Sequence, residues 1–281
     1  MLTVHKLIYI SLSFLLFSSC NKVSQELSSV NIGSITNGET KAKLGEFSWL
    51  VKVDTCAGVI IDKRFILTVA HCVHDKRASL ITLRAGNNGA INELQYLSKA
   101  KRVIVHPDYK SFKESHIKEN DIALIELKED IVFTQSLNKA KLPTVNQIEN
   151  ADQLRLGGYG RAEDKSYPKE LRFLRSLELL ESSDSDYWDN SSNLNMLVPD
   201  DDHQDFIGTY FTGQYLAVKV KGQMSACRGD SGAPLVSVSS STVIGLVSHG
   251  SEDCVGQKAF FLTKVSRYTD WIKQEVANES E

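Results

Sequence analysis

A serine flanked by glycines near the end of the chain is the feature of this sequence best suited to chemistry. Residues 227–235 read CRGDSGAPL, with Ser231 at their centre. A serine hydroxyl is a useful nucleophile only when a base takes its proton and when hydrogen-bond donors stabilise the oxyanion that its attack creates. Glycines on both sides let the backbone turn tightly, so the NH groups of Gly229 and Ser231 could form such an oxyanion hole. Taken alone, the motif is equally consistent with an ordinary turn.

Two further motifs contain a histidine and an aspartate that suit such a serine. His71 ends the apolar stretch LTVAHC and is followed at once by Cys72, which could pin the turn that carries the imidazole. Asp121 opens the apolar run DIALI, which draws its carboxylate toward the interior. A buried carboxylate needs a partner, and the Nδ1–H group of a histidine is a suitable one. A lone histidine, however, more often has a structural role.

The three motifs lie among short apolar runs that are separated by residues typical of turns. One series spans residues 47–128 and a second spans residues 154–265, both rich in Val, Ile, Leu and Phe. This pattern is typical of an all-β sandwich or barrel. From Ser266 onward the spacing changes and predicts an amphipathic C-terminal helix. Its core-facing residues are expected to be Tyr268, Trp271, Ile272 and Val276.

The three motifs together resemble the trypsin/chymotrypsin-type serine proteases, which carry histidine, aspartate and serine in this order. The resemblance covers Ile35 to about Asn278. Other matching pieces follow in the family's order: Ile35–Gly38, Gly45–Trp49, His106–Tyr109, Gly158–Gly160, and Thr263–Val265 with Tyr268 and Trp271.

The fold that this resemblance implies is all-β, with two packed six-stranded antiparallel β-barrels and a C-terminal α-helix. The protease domain would cover residues 35–281. Within it, the barrels would lie at about 35–145 and about 146–265, and the helix at about 266–278.

The resemblance also implies a role for each residue of the three motifs. In the family's mechanism Ser231 is the nucleophile that forms an acyl-enzyme, His71 is the general base, and Asp121 orients the base. The NH groups of Gly229 and Ser231 would form the oxyanion hole. The expected function is that of a serine endopeptidase acting on proteins or peptides.

Four cysteines fall where the family has disulfide bonds. The resemblance implies one bond between Cys56 and Cys72 and another between Cys227 and Cys254. Each bond should stabilise the fold by roughly 2–4 kcal/mol. An even number of cysteines besides Cys20 suits an oxidising compartment.

The family's specificity pocket maps onto Ser225, Ser248, Gly250 and Phe260. Ser225 replaces the buried aspartate that attracts Lys or Arg in trypsin, so cleavage after apolar rather than basic residues is expected. Phe260 stands where the family usually has a glycine. If its ring points inward, the pocket is shallow and suits small aliphatic side chains; if outward, aromatic side chains fit.

Three further positions depart from the family or bear on its mechanism. Ser248 matches the serine that hydrogen-bonds the buried aspartate. His249 replaces the usual tryptophan beside it, and Ala233 replaces a glycine near the nucleophile. Neither replacement removes a catalytic atom.

The N-terminus has the pattern of a targeting segment. Residues 1–19 predict a signal peptide, because Lys6 precedes an apolar run at 7–17 that is too short to span a bilayer. The small residues before Cys20 resemble a bacterial lipoprotein signal, in which that cysteine is acylated. The alternative is a plain secretory peptide cut near Ser19. The chain is therefore expected to be exported, as a cell-envelope lipoprotein or a secreted protein.

Residues 20–34 are polar and read as a lipid-anchor tether or a short propeptide. In the family, cleavage before the residue matching Ile35 creates an ammonium that pairs with the residue matching Asp230. Because Ser34 precedes Ile35, an activating protease of trypsin-like specificity is not expected. Cleavage after Ser34 would also release the domain from a lipid on Cys20.

Composition and residue spacing also indicate whether nucleic acid, a cofactor or a metal ion is to be expected. The net charge is −3, with 32 basic and 35 acidic residues, which gives no reason to expect nucleic acid. No cofactor or metal is expected, because no C-x-x-C pair is present and residues 84–99 lack a clear carboxylate pair for the family's calcium loop. The acidic stretch 182–206 predicts a surface loop, although a cation site at Asp200–Asp202 is an alternative.

We expect a monomer that meets a membrane only through a lipid on Cys20. The alternative function is that of a catalytically silent homologue that binds a partner through the same surface.

Overall fold

The computed structural model describes residues 35, 38–86, 94–111, 118–144, 153–162, 164–175, 177–180, 214–220, 224–250 and 260–278. Ile32–Glu281 form one compact unit. Several predicted features lie outside the described residues: the signal peptide, the tether with Cys20, Cys254, and the acidic stretch 182–206 with Asp200–Asp202. No helix in the described part of the chain has the length and apolar character that crossing a bilayer requires.

Strands dominate the described residues, as the short apolar runs predict. In chain order they are β1 (Leu50–Val53), β2 (Cys56–Ile60), β3 (Phe65–Thr68), β4 (Leu83–Ala85), β5 (Gln95–Tyr96), β6 (Ala100–Val105), β7 (Lys110–Ser111), β8 (Lys118–Glu119), β9 (Ala123–Leu127), β10 (Leu154–Gly158), β11 (Arg172–Leu174), β12 (Leu177–Leu180), β13 (Tyr215–Val220), β14 (Pro234–Ser237), β15 (Thr242–His249) and β16 (Phe260–Lys264).

Two antiparallel sheets account for all but two of these strands. The first sheet has the order β5-β4-β1-β2-β3-β9-β6, and the second has the order β11-β10-β14-β15-β16-β13-β12. β7 and β8 pair with each other as a separate two-stranded ribbon. Strands β3, β9 and β14 are buried along their whole length, which explains why they read as continuous apolar runs rather than alternating ones.

Each sheet curls back on itself because its two edge strands are consecutive in the chain. Only residues 97–99 separate β5 from β6, and only residues 175–176 separate β11 from β12. The prediction of two barrel-like sheets is confirmed. The predicted count of six strands in each sheet becomes seven, since one segment of each barrel bends and pairs with both ends of its sheet.

The segment that follows Ile35 is fixed to the second sheet. Glu39 forms an isolated antiparallel bridge with Phe173 of β11. Glu46 is paired with Arg155 of β10 at 3.0 Å and with Arg175 at 2.9 Å. Ile35 itself has no solvent-exposed surface. The start of the predicted protease domain is therefore anchored to the second sheet rather than the first.

The chain ends in one short helix. Residues Val265–Tyr268 form a 3-10 turn, and the α-helix, α1, covers Thr269–Ala277. It thus begins three residues later than the sequence predicts, because the first turn is the tighter 3-10 form. Tyr268 and Ile272 are buried, while Trp271 and Val276 are half-buried against the core.

Candidate active site

A tight turn before β9 positions the Asp121 side chain. Asn120 adopts a left-handed backbone with φ of 51°, a conformation that asparagine tolerates better than most residues. Its side-chain amide donates to the carbonyl oxygen of Asp108 at 2.9 Å, and it accepts a hydrogen bond from the Tyr268 hydroxyl at 3.2 Å. The turn delivers the Asp121 carboxylate into a fully buried position.

Three donors converge on that carboxylate. The backbone NH of His71 donates to Oδ1 at 2.9 Å, and Nδ1 of the His71 ring lies 2.8 Å from Oδ2. Ser248 donates its hydroxyl hydrogen to the same Oδ2 at 2.6 Å. Burial on its own would raise the pKa of Asp121, but the charge of His71 and the hydrogen bonds from His71 and Ser248 outweigh it and lower that pKa to about 2.

An ionised Asp121 fixes the tautomer of His71. Because a carboxylate can only accept, Nδ1 of His71 must carry the hydrogen, and Nε2 is then the basic nitrogen. The ring sits on a 3-10 turn, Ala70–Cys72, directly after β3. The disulfide Cys56–Cys72, which the family resemblance implied, holds this turn to β2. His71 is 20% exposed, which leaves its ring accessible from the cavity described below.

The turn that carries Ser231 is docked between the two sheets. Ala57 of β2 donates its backbone NH to the carbonyl oxygen of Ser231 at 2.7 Å. Gly232 donates to the carbonyl oxygen of Val247 in β15, also at 2.7 Å. Gly232 has φ of +80°, and a Cβ there would lie 2.1 Å from the carbonyl oxygen of Ala57, so only glycine allows this close approach.

The backbone around Ser231 contains both hydrogen-bonded NH groups and NH groups that have no described backbone acceptor. Asp230, Gly232 and Ala233 use their NH groups in hydrogen bonds to other backbone carbonyls. Within the described residues, the NH groups of Gly229 and Ser231 have no such acceptor. These are the two groups that the sequence assigned to the oxyanion hole, and that role stays a prediction.

Ser231 and His71 open onto one cavity of about 240 Å³. In the described part of the chain no hydrogen bond joins Ser231 Oγ to the His71 ring. The remaining lining residues are Lys118, Ala226, Cys227, Arg228, Val247, Ser248, His249, Gly250 and Phe260. The structure thus brings His71, Asp121 and Ser248 into direct contact and sets Ser231 beside them.

Three of the four predicted pocket residues line this cavity. Ser248, Gly250 and Phe260 form part of its wall, and Phe260 is fully buried. Ser225 is buried but is not among the lining residues; its hydroxyl donates to the carbonyl oxygen of Ala226 at 3.0 Å.

Two basic residues on the cavity wall, Lys118 and Arg228, were missed by sequence reasoning. Arg228 belongs to the motif at 227–235, and Lys118 lies three residues before Asp121, but nothing in the sequence indicated that either side chain faces the cavity.

Asp230, which the sequence linked to activation, is held in a fully buried niche. The backbone NH groups of Gly160 and Cys227 donate to its two carboxylate oxygens at 2.8 and 2.9 Å. A Cβ at Gly158 or Gly160 would come within 2.1 to 2.4 Å of the carboxylate, so both positions require glycine. Burial raises the pKa of Asp230 to about 6, against the lowering effects of the two hydrogen bonds and of Lys52.

The cysteines near the site serve disulfides rather than a metal. Cys56, His71 and Cys72 have potential ligand atoms within 4.8 Å of one another. However, both sulfurs are bonded to each other, so neither is a thiolate that could bind an ion. Cys227 is also disulfide-bonded, and its predicted partner, Cys254, lies outside the described residues.

Comparisons with known proteins show the family and the fold of this chain. The model of the family described as Trypsin matches residues 36–272. Chymotrypsin-2 from Vespa crabro is 30% identical over 243 residues, which cover 84% of this chain and 98% of the relative. Chymotrypsin from Phaedon cochleariae is 27% identical over 235 residues, covering 83% of this chain and 74% of the relative. Among solved structures, HL collagenase shares the fold with a TM-score of 0.68 at 23% identity, covering 86% of this chain and 99% of that one.

The buried carboxylate of Asp230 gives the unprocessed chain a specific pH dependence. Its folded pKa, about 6, lies above the ordinary value of 3.8, so the folded state binds more protons between these values. The resulting contribution to the free energy of unfolding is full below pH 4 and is lost as the pH rises to 6. We expect Asp230→Asn to remove this decline, which should amount to roughly 2–3 kcal/mol.

Urea unfolding of the unprocessed chain at several pH values measures this difference. The control is Asp270→Asn, which removes an exposed carboxylate of α1 and should keep the decline. An unchanged pH slope in Asp230→Asn would contradict the raised pKa.

Proposed function

We propose, from the premise that this chain belongs to the trypsin family and is a serine endopeptidase, that it cleaves peptide bonds with Ser231, His71 and Asp121. One observation carries the assignment of residues. The His71 ring is hydrogen-bonded to a buried, ionised Asp121 and shares a cavity with Ser231.

The proposed reaction is acyl transfer in two steps. Nε2 of His71 takes the proton of Ser231 Oγ as the oxygen bonds to the substrate carbonyl carbon. The NH groups of Gly229 and Ser231 donate to the oxyanion that forms. His71 then gives the proton to the leaving amine as the peptide bond breaks, and water repeats the sequence on the acyl-enzyme. Asp121 stays ionised throughout and stabilises the imidazolium.

Covalent labelling tests these assignments. A fluorophosphonate probe should label the processed enzyme at Ser231, because His71 activates that hydroxyl. The variant Ser231→Ala should lose labelling and at least about 10⁴-fold of kcat. The control Ser239→Ala, which changes an exposed serine, should keep both. Absence of labelling in the processed wild-type chain would contradict the proposal and favour the alternative, a catalytically silent homologue that binds a partner.

We also propose that the pocket accepts small apolar side chains. Phe260 is fully buried and lines the cavity, and Gly250 lies against it, since a Cβ at Gly250 would come within 3.0 Å of the Phe260 Cβ. Ser225 brings no charge to this region, and among the described residues the cavity wall has no carboxylate that would attract a basic side chain of the substrate. A bulky ring on the wall limits the depth that remains.

A peptide-library digest with purified, processed enzyme measures this preference. Wild type should cleave after small aliphatic residues, and Phe260→Gly should shift cleavage toward Phe, Tyr and Leu because the pocket deepens. Leu262→Ala offers a control, since Leu262 is buried in the same strand but is absent from the cavity wall. Cleavage after Lys or Arg, or an unshifted preference in Phe260→Gly, would contradict the proposed pocket.

Activation is proposed to follow from cleavage between Ser34 and Ile35. Ile35 is fully buried with φ of 44°, a left-handed backbone that is unfavourable for a β-branched side chain. Asp230 has no ion-pair partner within the described residues, and a new ammonium at residue 35 would supply one. A lipid on Cys20 of the exported chain would make the same cut release the enzyme from the membrane.

N-terminal sequencing tests this proposal. Active enzyme should begin at Ile35, and palmitate incorporated into the uncut chain should disappear in Cys20→Ala. An active species that still begins at Cys20 would contradict activation by cleavage, whereas unlabelled wild-type chain would contradict lipidation alone.

A further inference from the structure

His249 belongs to a hydrogen-bonded series of side chains that leads to the catalytic residues proposed above. Its Nδ1 lies 3.1 Å from the hydroxyl oxygen of Ser248. That hydroxyl lies 2.6 Å from Oδ2 of Asp121, to which it donates. Oδ2 in turn lies 2.8 Å from Nδ1 of His71. Four side chains are therefore connected in series, from the wall of the cleft to the base.

Counting hydrogens fixes the direction of each bond in this series. A serine hydroxyl has one hydrogen, and that of Ser248 is committed to the Asp121 carboxylate. The remaining contact can form only if Nδ1 of His249 carries a hydrogen and donates it to Ser248. This requirement holds for the Nδ1–H tautomer of neutral His249 and equally for the charged ring, in which both nitrogens carry hydrogens.

Packing holds the His249 ring where this donation occurs. The ring stacks on Phe261 with centroids 5.1 Å apart and an interplanar angle of 16°. It meets Tyr215 edge to face, with centroids 5.2 Å apart. The pairing of β15 with β16 shifts register between Val247 and His249, so Ser248 faces Asp121 while His249 lies opposite Phe261. Because of this register shift, the side chains of Ser248 and His249 face different partners, yet they remain within hydrogen-bonding distance of each other.

We propose that His249 is a positioning residue that acts on His71 through Ser248 and Asp121. By donating to Ser248 Oγ, His249 occupies a lone pair of that oxygen and holds the hydroxyl hydrogen on the carboxylate. Donation into a hydroxyl also strengthens the bond that the hydroxyl itself donates. Both effects disperse the negative charge of the Asp121 carboxylate. The more this charge is dispersed, the less strongly the carboxylate stabilises the imidazolium of His71. This inference rests on the proposed function, since it concerns the same base.

Three exchanges at position 249 separate donation from packing. His249→Asn places an amide NH₂ near the position of Nδ1 and can still donate to Ser248, but it loses the ring. His249→Phe keeps the ring against Phe261 and Tyr215 and loses the donor. His249→Gln carries its amide one bond farther out, near the position of Nε2, and loses both. A positioning role predicts that only Asn preserves function, whereas a packing role predicts that only Phe does.

The expected effects follow from the loss of one hydrogen bond. In His249→Phe and His249→Gln the Ser248 hydroxyl is held less firmly on Asp121, so His71 is oriented less well, and kcat should fall roughly three- to tenfold while KM stays within about twofold. The acid limb of the kcat/KM profile should move to higher pH, because a less well satisfied Asp121 holds the imidazolium more strongly. His249→Asn should restore both kcat and the acid limb to near wild type. Within the described residues, the other charged or titratable groups around His71 and Asp121 are Lys118, Arg228, Tyr109 and Tyr268, and these stay unchanged.

An NMR titration of the His71 ring nitrogens gives the same answer without turnover. The His71 midpoint should rise in the Phe and Gln variants and stay near wild type in the Asn variant. Thermal unfolding confirms that each variant is folded at the titration temperature. If activity is absent but the midpoints shift as stated, the proposed function fails and this inference stands. If Phe keeps the wild-type midpoint and kcat, or if Asn behaves as Gln does, the inference is wrong.

Discussion

The buried carboxylate of Asp121 is the constraint on which the rest of the site depends. A charged group without solvent contact is costly unless donors surround it, and here the donors come from both sheets. His71 follows β3 of the first sheet, while Ser248 belongs to β15 of the second. Thr263 of β16 adds a hydrogen bond from its hydroxyl to the Asp121 carbonyl oxygen at 2.9 Å. Satisfying one carboxylate therefore requires both sheets to be in place.

The turn that carries Ser231 depends on the same seam, the contact between the first and second sheets. Its backbone is fixed by Ala57 of the first sheet and by Val247 of the second, at equal distances of 2.7 Å. Gly232 permits this close approach, since a side chain there would collide with β2. The relative placement of the hydroxyl and the imidazole is thus a property of how the sheets pack, not of either sheet alone. Small changes at the seam should accordingly affect activity before they affect the fold.

Two of the buried carboxylates in this protein, those of Asp121 and Asp230, have opposite electrostatic environments. Asp121 meets the charge of His71 and a hydroxyl donor, which outweigh its burial and lower its pKa to about 2. Among the described residues, Asp230 meets two backbone NH groups and the charge of Lys52, which do not outweigh its burial, so its pKa is raised to about 6. The first is a permanent anion that orients a base. The second would be better stabilised as an anion by a further cation, such as the ammonium that the proposed cleavage before Ile35 would create.

The sequence predicted the parts of this site that depend on local motifs. The G-D-S-G and A-H-C motifs and the aspartate before β9 were recognisable because each combines a reactive side chain with a characteristic turn or strand. Likewise, the Cys56–Cys72 disulfide followed from matched positions. The number of strands in each sheet could not be predicted as well. Whether a bent segment forms one strand or two depends on where its backbone hydrogen bonds to neighbouring strands are interrupted.

Side-chain contacts across the seam could not be predicted from the sequence. Lys118 lies three residues before Asp121 and Arg228 lies three residues before Ser231, but whether their side chains face the cavity depends on how the two sheets pack. His249 was recognised as a replacement for a tryptophan, but its bond to Ser248 depends on a register shift between β15 and β16. Ser225 was assigned to the pocket by position, whereas its hydroxyl is engaged with Ala226. Each of these depends on where a side chain points, which spacing does not determine.

The ionisation of Asp121 is the central physical claim, and carboxyl ¹³C NMR measures it directly. With ¹³C-labelled aspartate, the signal of Asp121 is identified by its absence from the spectrum of Asp121→Asn. The carboxyl shift should remain that of an ionised group at every pH at which the protein stays folded, down toward a pKa of about 2. A titration midpoint at or above 4 in the folded protein would show that the donors from His71 and Ser248 do not hold the charge, and the account of the site would fail.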